Sequence, residues 1–249
     1  MRATLFAALF ACCSLPMSTA FADPARVPPA PQCLDARQIT DTRQVDASTL
    51  VIASGASQFH TVTLAGECPA LEAASRQQLL ARDGWVCGGP NEYVQADQQR
   101  CPVAAVATID GKTFAAMARA ADQAAGAATL DTVQVVGPQR GQGFRGSPSY
   151  CFAPRYVRSW ASDPQGLLVE VSRRHPGGHG WYRVELAGSC PELARSPEVN
   201  FRSQMDIGMI CGNPGDVVLP TARPEGFHNS GLGGISCQVG AVYPVGKIN

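Results

Sequence analysis

The chain has 249 residues, 20 basic and 20 acidic side chains, and ten cysteines. Its apolar content of 45% against 16% charged residues is that of a folded protein and excludes wholesale disorder. Neutrality excludes a general nucleic-acid binder, and beyond residue 22 no apolar run of about 18 residues offers a membrane span.

Residues 1–22 read as a secretory signal. Arg2 supplies the positive start, Ala3 to Leu15 the apolar stretch, and Pro16 breaks it. Ala20-Phe21-Ala22 places small residues at −3 and −1, so cleavage leaves Asp23 first and the protein periplasmic or secreted. Leu9-Phe10-Ala11-Cys12 is a loose lipobox, which leaves lipoprotein processing as the alternative. Cys12 and Cys13 leave with the signal. The remaining eight cysteines contain no Cys-x-x-Cys and enter an oxidising compartment, so they read as structural disulfides.

Residues 23–32 carry four prolines and form an extended arm. Residues 33–110 and 151–249 then copy one another. Leu64-Ala65-Gly66-Glu67-Cys68-Pro69-Ala70-Leu71 and Leu186-Ala187-Gly188-Ser189-Cys190-Pro191-Glu192-Leu193 agree at six of eight positions. The starts at Cys33 and Cys151, the turns at Cys87-Gly88 and Cys211-Gly212, and the ends at Cys101 and Cys237 fall into the same register.

Each copy reads as β structure. Thr49 to Ala53 and Gln58 to Leu64 form a hairpin across a Gly-containing turn, and Leu167 to Ser172 with Trp181 to Leu186 form its counterpart. Strands are also predicted around Trp85 to Cys87, Tyr93 to Gln95 and Val103 to Ile109. The fold class that follows is mainly β: two homologous small barrel or roll units, disulfide-stapled because so small a core buries little. Four cysteines per unit allow three pairings. The expectation is Cys33 with Cys101, Cys68 with Cys87, Cys151 with Cys237 and Cys190 with Cys211. Residues 111–150 join the units. Phe114, Met117 and Ala121 predict a helix over Lys112 to Ala125, Thr132 to Val136 an isolated strand, and Gly137 to Pro148 a flexible linker.

Tyr182 to Leu193, Cys211 to Asp216 and Cys237 to Val242 resemble a family of small cysteine-containing proteobacterial periplasmic domains of unknown function. The first copy departs from the pattern, with His60 for Tyr182 and Asn91-Glu92 for Gly215-Asp216. The resemblance implies export and a compact β fold, and no activity. Leu130 to Gly137 also resembles the strand that outer-membrane receptors offer to an energy-coupling partner, although an ordinary strand explains it as well.

No G-x-S-x-G, S-x-x-K or H-E-x-x-H occurs, which points away from an enzyme and leaves no catalytic residues to name. Asp216 follows a Gly-Asn-Pro-Gly turn, where a carboxylate caps backbone N–H groups. Between residues 139 and 183 seven arginines face two acids. Guanidinium groups recognise carboxylate and phosphate. The candidate ligand-binding residues are therefore Arg173, Arg174, His175, His179, Trp181 and Tyr182, in and beside a loop that the first copy lacks. The partner would be an anionic envelope component or another periplasmic protein, and no cofactor is expected. Two alternatives belong to other classes: a metal-binding protein using His175, His179 and His228, and a hydrolase or enzyme inhibitor with no visible motif.

Overall fold

The computed structural model describes residues 26–73, 77–126, 147–172, 174, 178–203, 208–221 and 236–246. Strands β1 (Leu34–Asp35), β2 (Ile39–Asp46), β3 (Thr49–Ser54), β4 (Gln58–Leu64), β5 (Gln77–Leu80), β6 (Trp85–Val86), β7 (Tyr93–Ala96) and β8 (Gln99–Ile109) build the first unit, with a one-turn helix α1 (Ala70–Ala73) after β4. A sixteen-residue helix α2 (Gly111–Gly126) follows β8. The second unit holds β9 (Val157–Asp163), β10 (Gly166–Val171), β11 (Trp181–Leu186), β12 (Glu198–Arg202), β13 (Val217–Thr221) and β14 (Cys237–Pro244).

Each unit is a six-stranded antiparallel half-barrel. The first runs β2-β3-β4-β8-β7-β5 and the second β9-β10-β11-β14-β13-β12. Position by position the orders coincide. The irregularities coincide too: the ladder slips at Thr63/Leu64 against β8 and at Glu185/Leu186 against β14. Leu34 pairs with Val86 as Phe152 bridges Ile210. The mainly β, two-unit fold expected from the sequence is present, and both hairpins lie where the alternation put them.

The two cores follow from the period of two along the strands. Leu50, Ile52, Val62, Leu64 and Val106 fill the first half-barrel, and Leu167, Val169, Tyr182, Val184 and Val242 fill the second. Strand β3 is buried on both faces because its other side, Val51 and Ala53, lies in a third core beneath α2. Phe114, Ala115 and Ala118 of α2, Tyr150, and the Cys151 and Cys211 pair complete that third core. Helix α2 is therefore the wedge between the units and not part of a loose tether. Its first residue touches the second unit so closely that a Cβ on Gly111 would stand 2.1 Å from the Pro244 carbonyl oxygen. The predicted strand at Thr132 to Val136, and all but the last residues of the Gly137 to Pro148 linker, lie outside the described residues.

The disulfide pairing differs from the expectation. Cys33 joins Cys87, Cys68 joins Cys101, Cys151 joins Cys211 and Cys190 joins Cys237. The reason is that spatial order departs from chain order. Strand β1 pairs with β6 beside Cys87, bringing the Cys33 and Cys87 Cα atoms to 4.3 Å. Strand β8 pairs with β4, so the turn after β4 carries Cys68 to the start of β8 at Cys101. The same neighbours recur in the second unit. No helix among the described residues is long and apolar enough to cross a membrane.

Candidate functional site

A hydrogen-bonded network spans the junction of the two units. Arg43 on β2 donates from Nε to Asp122 of α2 at 2.8 Å and from a terminal nitrogen to Ser147 Oγ at 3.1 Å. Its other terminal nitrogen pairs with Asp41. Tyr150 donates its hydroxyl to the second oxygen of Asp122 at 2.8 Å. Arg119 of α2 donates to the Cys211 carbonyl and lies over the Tyr150 ring. Lys112 pairs with Glu185 at 2.6 Å, and Tyr243 donates to the other Glu185 oxygen at 2.8 Å. These contacts fix the second unit against the first.

Beside this junction opens a cleft of about 580 Å³. Its floor on the first unit is the β3–β4 turn, Gly55 to Ser57, with Thr40 of β2. Its wall on the second unit is formed by Arg158 of β9, Glu170 of β10, His179 and Trp181. The ring of His179 crosses the boundary: Nδ1 lies 3.2 Å from the Ala56 carbonyl oxygen, and the imidazole stands 5.7 Å from the Phe59 ring. Behind it, the His179 amide donates to the Tyr182 hydroxyl at 2.8 Å. Glu170 is held by the Ser159 hydroxyl at 2.6 Å, while Arg158 is exposed at the rim.

The candidate residues separate accordingly. His179 and Trp181 line the cleft. Tyr182 is fully buried, its hydroxyl donating to the Pro148 carbonyl, so it supports the loop from within the core. Arg174 is exposed, its amide hydrogen-bonded to Ser172 Oγ at 3.3 Å. Arg173, His175 and His228 lie outside the described residues, so the three-histidine arrangement has only His179 within them. Arg183 is buried and paired with Asp163, which takes one member of the arginine run out of any ligand's reach. Among the described residues the only grouping with metal-ligand spacing is Cys190, Glu192 and Cys237, whose two sulfurs are bonded to each other. Arg158 belongs to the arginine run of residues 139–183 but was not among the candidate residues, and nothing in the sequence marked the first-unit floor. The loop insertion marked the second unit's side of the cleft, but nothing local announced which surface would face it.

Burial lowers the protonation of His179 below the ordinary value of 6.5, against weaker opposing effects of the Ala56 carbonyl and Asp41. Burial alone lowers His60 in the same direction. In both cases the unfolded chain binds the proton more readily, so stability is complete above pH 6.5 and declines as pH falls toward the depressed folded values. Urea midpoints should therefore drop from pH 7.5 to pH 5. The His60→Tyr and His179→Gln variants should each show a shallower decline. An unchanged slope in both variants would assign the acid sensitivity to other groups.

A model of a family of unknown function, DUF6491, matches residues 1–125. The chain belongs to this family. The DUF6491 match runs through the first half-barrel and α2 and stops before the second unit, so the family pattern includes the wedge helix with the β unit. No curated protein and no solved structure matches the chain significantly.

Proposed function

We propose that this DUF6491 protein is an exported, non-enzymatic binding protein that holds an anionic envelope component in the cleft between its units. The observation that carries this reading is the convergence of Arg158, His179 and Trp181 on one cleft at the junction. Arg158 supplies an exposed cation, Trp181 a half-exposed aromatic face, and the Gly55 to Ser57 turn a backbone floor. Four disulfides suit an oxidising compartment, in keeping with residues 1–22 acting as a cleaved signal and the mature chain residing in the periplasm. The shared strand order, ladder slips and disulfide pairs support an origin of residues 33–110 and 151–249 by duplication. The second copy would then have gained the site through its longer loop.

Titration of the mature protein with lipopolysaccharide, phosphatidylglycerol vesicles and soluble peptidoglycan fragments, read by calorimetry, tests the proposal. At least one should bind at low salt, weaken as salt rises, and lose roughly tenfold or more in affinity with Arg158→Ser combined with Trp181→Ala. Binding that ignores salt, or survives the double substitution, would remove the cleft from the explanation. So would the absence of binding to all three.

A further inference from the structure

We infer that the ligand of the junction cleft is zwitterionic, its anion accompanied by a primary ammonium that Glu170 and Trp181 hold between them. The inference rests on the cleft being the binding site, as proposed above, and adds what else the ligand must carry. Glu170 of β10 stands directly opposite Trp181 of β11 in the ladder, and both line the cleft. Directly opposed residues share one face of a sheet, with Cβ atoms about 5 Å apart. Here it is the outward face, because Val169, Val171 and Tyr182 alternate with them into the core. A carboxylate thus stands beside an indole ring, and those are the two components of a cation site.

The first unit shows such a pair filled. Asp35 of β1 stands directly opposite Trp85 of β6. The Arg26 guanidinium lies over the Trp85 ring, 4.9 Å from its centre, and one of its nitrogens donates to both Asp35 oxygens at 2.9 and 3.0 Å. There the chain supplies the cation itself. At Glu170 and Trp181 no Lys or Arg among the described residues pairs with the carboxylate or lies over the ring. Arg158, at the rim of the same cleft, also has no ion pair among the described residues.

The charges of the cleft set those of the ligand. Arg158 and Glu170 are the charged groups lining it among the described residues. Burial keeps His179 uncharged near neutral pH, with Nδ1 turned to the Ala56 carbonyl. A ligand that is only an anion would answer Arg158 and set Glu170 against like charge, whereas a zwitterion answers both. The form of the cation follows from the carboxylate. Its Oε2 already accepts from the Ser159 hydroxyl at 2.6 Å, which leaves Oε1 as the freer partner. A guanidinium is held best through both oxygens, while a primary ammonium is satisfied by one and still lies against the ring. A quaternary ammonium brings no N–H to the oxygen.

Calorimetry of the mature protein with matched probes tests this. Alanine is compared with lactate, and phosphoethanolamine with glycerol 3-phosphate, so that each pair shares its anion and differs chiefly in the ammonium. Phosphatidylethanolamine in phosphatidylcholine vesicles, beside soluble phosphoethanolamine, tells a lipid headgroup from a free solute as the source. At least one zwitterion should bind roughly tenfold or more tightly than its partner acid. Glu170→Gln keeps the side-chain length and an oxygen for Ser159 but removes the charge, and should erase that preference by weakening the zwitterion alone. Arg158→Ser should weaken both members of the pair. Equal affinity for a zwitterion and its partner acid, or a preference that survives Glu170→Gln, would overturn the inference and leave the cleft a plain anion site. Binding that ignores Arg158→Ser would overturn the cleft reading along with it. No binding of any probe would overturn the inference and leave the cleft to the lipopolysaccharide, vesicle and peptidoglycan titrations.

Discussion

Replacing Cys151 and Cys211 by alanine should cost about 4 kcal/mol from the released loop alone, and more than removing any other disulfide of the protein. The bridge closes a separation of 60 residues, and the chain-entropy account scales with the logarithm of that length. Cys190 and Cys237, separated by 47, give nearly the same entropic figure. The difference lies in what surrounds the sulfurs. Cys151 and Cys211 are fully buried in the core shared with Phe114, Ala118 and Tyr150, and Arg119 donates to the Cys211 carbonyl. Their loss therefore opens a void in the junction and loosens a carbonyl that anchors α2. That adds roughly 1–2 kcal/mol by the cost of residual cavity and disturbed hydrogen bonding. Cys190 is only half-buried and packs against the second half-barrel alone. Guanidinium denaturation of the two double variants checks this. The Cys151→Ala/Cys211→Ala protein should also lose the single cooperative transition, with the units unfolding apart. Equal losses from the two pairs would mean that the junction contributes nothing beyond loop closure.

The parts of this architecture that could be read from the chain are those fixed locally. Alternation at Tyr182, Val184 and Leu186 sets the inward face of β11 whatever lies around it, and the Gly-containing turn at Gly55 closes the first hairpin. Strands β2 and β9 escaped because they are sheet edges, rich in Thr, Asp, Arg and Ser and with no apolar alternation to announce them. Charged, polar edges are how sheets avoid pairing with strangers, so the protective composition also hides the strand. The disulfide pairs were illegible for a different reason. They depend on β1 reaching β6 and on β8 returning to lie beside β4, contacts between segments about forty to fifty residues apart. The apolar stripe of α2 was visible, but Arg43 and Asp122, which say what that stripe covers, are 79 residues apart. The cleft suffers from the same limit. Its second-unit wall was marked by an inserted loop, whereas Gly55 to Ser57 become a floor only once α2 has set the units together.

The turn that follows the third cysteine of each unit should respond in proportion to the backbone groups its carboxylate holds. Asp216 is 1% exposed, and its Oδ2 accepts from the amides of Cys211, Gly212 and Asn213 at 2.9, 3.1 and 3.1 Å. Glu92 is half-buried, and its Oε2 accepts from Cys87 and Gly88 at 2.8 and 2.7 Å. Successive N–H groups curled around one oxygen form an anion nest, here occupied by the protein's own side chain. The chain can curl so tightly because Gly88 and Gly212 adopt φ of +88° and +76°, with a Cβ at either one only 2.9 Å from the facing strand's Cα. Asp216→Ala strips three charge-assisted bonds and leaves three amides unpaired, that of Cys211 in a fully buried setting, so the expected loss is about 3–5 kcal/mol. Glu92→Ala strips two, in a turn that water can enter, for about 1–3 kcal/mol. Asp216→Asn keeps an acceptor oxygen without the charge and should fall between the alanine variant and wild type. Urea denaturation of the three variants orders them. If Glu92→Ala proved as damaging as Asp216→Ala, burial and bond number would not be what sets the cost, and the glycine geometry would have to carry the turn by itself.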